Sequence, residues 1–182
     1  GFKQATVREV DPISKQIHME GPDGASRASY DYLVVATGAS MRASEVPGLE
    51  EFANTICTPV EMMKLRVGLR RLLKAAHEGR QRVLFLVPPN NKCSGPLYKM
   101  VMVLDTWLRR HKARKGVSVT WTTFEESYIQ AFGPRLHDVV TSEFEARHIL
   151  GHNHYVVDRV EEGEVVYRNG ERVPYDVLAR IS

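Results

Sequence analysis

The spacing of apolar and polar positions changes several times along the chain, and each change marks an element. Residues 5–10 and 16–19 alternate around Asp11-Pro-Ile-Ser14, which predicts two short strands joined by a turn. The polar stretch 21–29, rich in Gly, Pro and Ser, reads as a loop. Leu33, Val34, Val35 and Ala36 show no polar alternation, the mark of a strand buried on both faces, and break at Thr37-Gly38. Thr58-Pro-Val-Glu61 predicts a helix start, with Thr58 as N-cap, Pro59 at N1 and Glu61 at N3. Met62, Leu65, Leu69, Leu72, Leu73 and Ala76 then share one face, while Arg66, Arg70, Lys74 and Arg80 lie mostly on the other.

Residues 83–87 form a short continuous apolar strand ended by Pro88-Pro-Asn-Asn91. Leu97, Met100, Val101, Leu104 and Leu108 recur at helical spacing until Lys115-Gly116. A strand over 117–122, a helix over about 134–148, a hairpin over 155–160 and 165–168 around Glu162-Gly163, and a last strand over 175–181 complete the chain. Strand, helix, strand, helix and hairpin predict an α/β fold: a parallel sheet with a small antiparallel meander attached.

Composition narrows the function classes. The 182 residues, 43% apolar, fit one α/β domain with an appended strand region. A net charge of +3 calls for no nucleic-acid partner. No apolar stretch is long enough to cross a bilayer, and no signal peptide precedes the first strands. Two cysteines, Cys57 and Cys93, are too few for a disulfide scaffold, although they could form one redox-active pair.

Chemistry is expected at residues 88–100, the turn between the strand at 83–87 and the following helix. A dinucleotide-binding unit carries Gly-x-Gly-x-x-Gly here, so that the pyrophosphate meets bare backbone. This turn reads Pro88-Pro-Asn-Asn-Lys-Cys-Ser-Gly-Pro96, with Gly95 its single glycine. Proline removes N–H donors and the side chains of Asn90, Asn91 and Lys92 crowd the approach, so the turn disfavours NAD. It offers Cys93 instead, at the start of a helix and beside Lys92, where the dipole and the adjacent charge favour thiolate. The plainer alternative for Cys93 is a small packed apolar residue.

The run Tyr30-Asp-Tyr-Leu-Val-Val-Ala-Thr-Gly38 followed by Val46-Pro-Gly48 resembles the ATG segment of the pyridine nucleotide-disulfide oxidoreductases. Thr55-Ile-Cys-Thr58 and Lys92-Cys-Ser-Gly-Pro-Leu-Tyr98 resemble, within that superfamily, the sulfide:quinone oxidoreductases and flavocytochrome sulfide dehydrogenases. The resemblance implies a Rossmann-like NAD(P)-type domain at 55–182 without its glycine fingerprint, preceded at 1–54 by part of an FAD-type domain. It implies FAD as cofactor, with Ala36, Thr37 and Gly38 beside the flavin. Cys93 then corresponds to the redox cysteine that carries persulfide sulfur and Cys57 to an auxiliary cysteine, a packing role for Cys57 remaining open. The family's mechanism has sulfide attack an oxidised sulfur on the enzyme, a cysteine attack the flavin, and two electrons pass to a quinone. The implied partners are a small sulfur substrate, a quinone acceptor, a membrane surface and a second copy in a homodimer, with a cytoplasmic or peripheral-membrane location. The chain opens at Gly1 without the N-terminal Gly-x-Gly-x-x-Gly turn of the FAD domain and ends at Ile181-Ser182, so it reads as a central portion that does not hold FAD alone. Two other readings stay open: a non-catalytic scaffold or dimerisation domain of a flavoprotein, and an NADH:quinone oxidoreductase.

Weaker signals take the blander reading. His148, His152 and His154 have H-x3-H-x-H spacing, but no carboxylate or cysteine completes a metal set, so they read as solvated. Arg109, Arg110, His111, Lys112, Arg114 and Lys115 read as charge complementing a helix C-terminus, with anionic lipid as the functional alternative. Phe124, Tyr128 and Phe132 read as packing, with a substrate or acceptor path as the alternative.

Overall fold

The computed structural model describes residues 1–38, 42–91 and 93–181. It contains two compact units, Gly1–Ala39 and Ser40–Ser182.

The smaller unit is a three-stranded antiparallel sheet in the order β1 (Thr6–Asp11), β2 (Gln16–Gly21), β3 (Gly24–Ser29). The β1–β2 turn is fixed by Asp11, whose carboxylate accepts from the N–H groups of Ile13 and Ser14 at 2.9 and 3.1 Å and from Ser14 Oγ at 2.6 Å. Those bonds, led by the Ser14 hydroxyl, hold the Asp11 carboxyl below the usual range. Two sequence expectations fail here. The polar stretch 21–29 contains a strand, because β2 supplies a full ladder from Gln16↔Ser29 to Gly21↔Gly24 and backbone pairing needs no apolar side chain. Conversely, residues 33–36 join no sheet, and Val34 and Val35 are 85% and 71% exposed. Their apolar run is suited to burial on both faces, but no described strand flanks them. No described residue of this unit is buried.

The larger unit is built on a five-stranded parallel sheet, ordered β4-β11-β5-β6-β7. Gly48 caps the one-turn helix α1 (Leu49–Phe52), which leads into β4 (Asn54–Thr55) and α2 (Pro59–Ala75). Strands β5 (Gln81–Val87), β6 (Val117–Thr123) and β7 (Ile149–His152) follow, with α3 (Gly95–Arg110) and α4 (Pro134–Arg147) as crossovers. A meander of β8 (Val157–Glu161), β9 (Glu164–Tyr167) and β10 (Arg172–Pro174) precedes β11 (Val177–Arg180), which inserts between β4 and β5. The rest of the expected element order is present. The strand β7 was not foreseen, because Gly151 and the flanking histidines imitate a turn.

Alternation along β5 assigns the two faces. Val83, Phe85 and Val87 join the core made with α2, α3 and α4, while Leu84 and Leu86 meet Leu49, Val160, Val165 and Tyr167 on the opposite side. All five are at most 1% exposed, and burying each such side chain contributes about 1.5–3 kcal/mol. The layers are therefore helices, parallel sheet and antiparallel meander. At the start of α2, Thr58 Oγ1 accepts from Glu61 N at 3.2 Å and Pro59 occupies the first turn, as its sequence predicts.

The basic cluster near residue 110 has a structural occupation. Asp105 of α3 is fully buried and binds Arg109 Nε at 2.8 Å, Arg114 Nε at 2.6 Å and Arg147 Nη1 at 3.1 Å. Arg114 also donates to the carbonyls of Val117, Arg147 and His148, closing the C-terminus of α4. Arg110, Lys112 and Lys115 remain exposed. Burial pushes the Asp105 carboxyl up, but the three arginine hydrogen bonds outweigh it and hold the group below the carboxylate range. Such a carboxylate stabilises the fold fully above its unfolded value of about 3.9 and loses that contribution as pH falls through the lower folded value. Asp105→Asn is expected to cost about 2–4 kcal/mol in urea unfolding at pH 7, discounted because Arg109 and Arg147 are partly solvated. The deficit should shrink when the same titration is repeated near pH 3.

Gly48 shows why the Val-Pro-Gly turn ends in glycine. Its φ is 75°, and a Cβ there would lie 2.0 Å from the carbonyl oxygen of Val160, whose own N–H bonds Pro47 O at 2.8 Å. Both obstacles are backbone, so Gly48→Ala should lose about 3 kcal/mol or more in denaturant unfolding.

Candidate functional site

All five strands of the sheet are parallel, so their carboxyl ends share one edge. From β5 the chain moves to β6 and β7 on one side, whereas β11 lies on the other. In open α/β sheets the ligand crevice lies outside the carboxyl ends at such a reversal of strand order, here between β5 and β11. Cys93 lies in the loop after β5, and Cys57 follows β4 on the other side of β11, so both belong to this edge.

The loop after β5 leaves a buried strand end. Val87 is fully buried, and its carbonyl accepts from Phe124 N at 3.4 Å. Asn90 takes a left-handed φ of 58°, and Asn91 Nδ2 donates to Pro88 O at 3.0 Å. Lys92, expected to support Cys93, lies outside the described residues. Cys93 is exposed with a free thiol, and a Cβ built on Gly95 would lie 3.7 Å from its sulfur. The thiol is thus folded over the first residue of α3. Ser94, the N-cap of α3, makes no side-chain capping bond, and Pro96 has no N–H to offer.

The second thiol is set by two threonines. Thr55 is 2% exposed, and its Oγ1 accepts from Cys57 N at 3.2 Å. The next backbone link, Ile56 N to Arg180 O at 3.3 Å, ties this turn to the end of β11. Cys57, exposed and free, therefore stands immediately before the cap of α2.

Arg180 escaped notice in the sequence. The signal was a lone cation in the apolar run Val177-Leu-Ala-Arg-Ile181. It is 5% exposed, pairs in register with Thr55 of β4 and Leu86 of β5, and so stands at the carboxyl edge. Burial draws its guanidinium below the ordinary value, opposed by the charges of Cys57, Glu61 and Glu50.

Ala36, Thr37 and Gly38 lie in the smaller unit and are exposed. Gly38 has a φ of 75°, and a Cβ there would meet nothing within 4 Å.

Side chains at the end of β6 serve mainly the fold. Tyr167 Oη donates to Thr122 Oγ1 at 2.8 Å, and Thr123 Oγ1 donates to Glu125 Oε2 at 2.9 Å. Tyr98, in the motif after Cys93, packs its ring 3.9 Å from Trp121, and its hydroxyl accepts from Ile129 N at 3.0 Å. Phe124 and Tyr128 pack into the core, whereas Phe132 is exposed. The histidines do not behave alike. His148 caps α4 and His154 is exposed, but His152 is half-buried against Tyr155, and its pKa is lowered by burial. That corrects the solvated reading of His152. Among the described residues no group of His, Cys, Asp or Glu is arranged to hold a metal, and no helix is long and apolar enough to cross a membrane.

No protein-family model matches the chain. Sulfide-quinone reductase of Aquifex aeolicus is 25% identical over 185 residues, covering 100% of this chain and 41% of that protein. The X-ray structure of the sulfide:quinone oxidoreductase from Aquifex aeolicus superposes with a TM-score of 0.81 at 24% identity, over 97% of this chain and 41% of that one. The chain is similar to sulfide-quinone reductase along its whole length. Its fold is shared with a pyridine nucleotide-disulfide family oxidoreductase of Enterococcus faecalis, at a TM-score of 0.60 and 18% identity over 98% of this chain and 37% of that one. An external alternative NAD(P)H-ubiquinone oxidoreductase B2 of Arabidopsis thaliana is 23% identical, over 97% of this chain and 34% of that protein. The chain thus spans 34–41% of the length of these curated relatives.

Proposed function

We propose that this chain is the central part of a flavin-dependent oxidoreductase of the sulfide:quinone type, with residues 1–54 serving an FAD-type domain and 55–182 an NAD-type domain without its fingerprint. The observation that carries the reading is the thiol of Cys93 at the switch-point crevice, on a turn that has lost the glycines a dinucleotide needs, in a chain similar to sulfide-quinone reductase along its whole length. In this reading the loop after β5, in which Asn91 Nδ2 donates to Pro88 O, presents Cys93. Cys93 would take up the sulfur of sulfide as a persulfide, a two-electron oxidation for which bound FAD would be the oxidant and a quinone, taking up two protons, the final acceptor. FAD supplies the two-electron relay when bound, and the exposed Ala36, Thr37 and Gly38 would lie against it. Contact with a membrane surface and assembly as a homodimer accompany this reading.

A second reading, oxidation of NAD(P)H, has two observations behind it. One is the similarity to the Arabidopsis thaliana enzyme; the other is Glu125, which stands near the end of β6, where an acid would meet a ribose. Its carboxylate is already bonded to Thr123, and Pro88-Pro89 supplies no N–H to a pyrophosphate.

The test uses the full-length protein with bound flavin. Cys93→Ser should lower sulfide-dependent quinone reduction about a hundredfold or more while flavin content stays the same. Sulfide-dependent activity within about twofold of wild type would refute the role of Cys93, and NADH-dependent quinone reduction that survives the substitution would establish the second reading.

A further inference from the structure

Between α2 and α3, within the larger unit, the surface holds a groove of about 430 Å³. Its floor belongs to the core, since Leu65, Leu69 and Leu104 are buried there. Its walls are apolar but wet: Met63 and Val103 are 56% and 52% exposed, and Met62, Met100 and Trp107 are half-buried. Three of the chain's six methionines thus line one groove, where their unbranched side chains adapt to the shape of an occupant. The charged residues lining it are Arg66 and Arg70, one helical turn apart on α2. Both are exposed, and neither makes an ion pair or side-chain hydrogen bond among the described residues. Helix α2 also carries Lys64, Arg71 and Lys74 against a single acid, Glu61, which is already paired with Lys64 at 2.6 Å. The one acid of α3, Asp105, is buried and held by its three arginines. No carboxylate of either helix is therefore left to answer Arg66 and Arg70.

An apolar lining with two unanswered cations on one rim calls for an occupant with an apolar body and an anionic end. The volume lies in the range of small-molecule sites, about 300–1,000 Å³. Two turns of a partner helix, about 10 Å across and 11 Å long, occupy roughly 900 Å³ and would only rest on the mouth. A bilayer surface is flat and would leave the floor uncovered. A single alkyl chain enters such a groove and covers its apolar floor, while an anionic head meets the guanidinium forks. We propose that the α2–α3 groove binds a free fatty acid, its chain along the methionines and its carboxylate on Arg66 and Arg70. Neither cysteine lines the groove, so the site stands whichever substrate the protein oxidises.

The test titrates the full-length, flavin-loaded protein by calorimetry with laurate and with dodecanol, its neutral counterpart, both below their micelle thresholds. Laurate should bind about tenfold or more tightly than dodecanol, and raising salt from about 0.01 to 1 M should narrow that preference without any variant. Arg66→Gln combined with Arg70→Gln should abolish the preference while leaving dodecanol unchanged. Met63→Gln combined with Val103→Gln should weaken both probes about fivefold or more, and all four side chains are exposed enough for the fold to persist. A laurate analogue with a diazirine at its chain end should cross-link to α2 or α3, located by mass spectrometry. Equal affinity for the two probes, a preference that survives loss of both arginines, or cross-links confined to other segments overturns the proposal. So does an absence of laurate binding, whether another part of the full-length chain fills the groove or the arginines instead hold the protein on phosphatidylglycerol vesicles.

Discussion

The larger unit depends on the return of the last strand, β11, into the gap between β4 and β5. Until it arrives, β5 lacks a partner on one side, and Leu86 has no strand to pair with on that edge. The closing contacts join residues far apart in the chain: Asp176 accepts from the backbone N–H of Arg82 at 2.7 Å and from its guanidinium at 2.8 Å. Pairing across such separations is slow to form, because the loop entropy comes before the contacts that reward it. The same insertion creates the reversal of strand order and with it the crevice. Structure and site therefore have one origin.

Much of this was legible from the chain alone, and the misses share a cause. Helix α2 could be read to the residue at its start because Thr58, Pro59 and Glu61 act locally. Strand β5 could be read because five consecutive apolar residues fit only a strand covered on both faces. Strand β3, Gly24-Ala-Ser-Arg-Ala-Ser29, has no apolar pattern, since its pairing with β2 is a backbone affair that leaves no mark on side chains. Residues 33–36 carry the opposite lesson. Their pattern records an environment on both faces that the described residues of this chain do not provide.

Charge was the least legible level. The run Arg109 to Lys115 looks like one basic surface, but Asp105, isolated among apolar residues in the sequence, divides it. Arg109 and Arg114 are held by that buried carboxylate, and Arg147 arrives from another helix to complete the set. Hydrogen bonds to three arginines are what make a fully buried aspartate tolerable, since an ionised carboxylate without them would cost several kcal/mol. What remains for an anionic partner is only the exposed remainder, Arg110, Lys112 and Lys115.

The two cysteines differ for a reason that sequence spacing does not carry. Cys93 belongs to the loop that leaves β5, so its position follows from the first crossover and was foreseeable from the motif around it. Cys57 belongs to a turn that is tied down only when β11 docks, through the bond from Ile56 N to Arg180 O. A single charge in an apolar strand is ordinarily placed against the fold's interest, since a buried guanidinium must be desolvated. Standing at the carboxyl edge, Arg180 puts a buried charge on the strand end whose carbonyl fixes that turn.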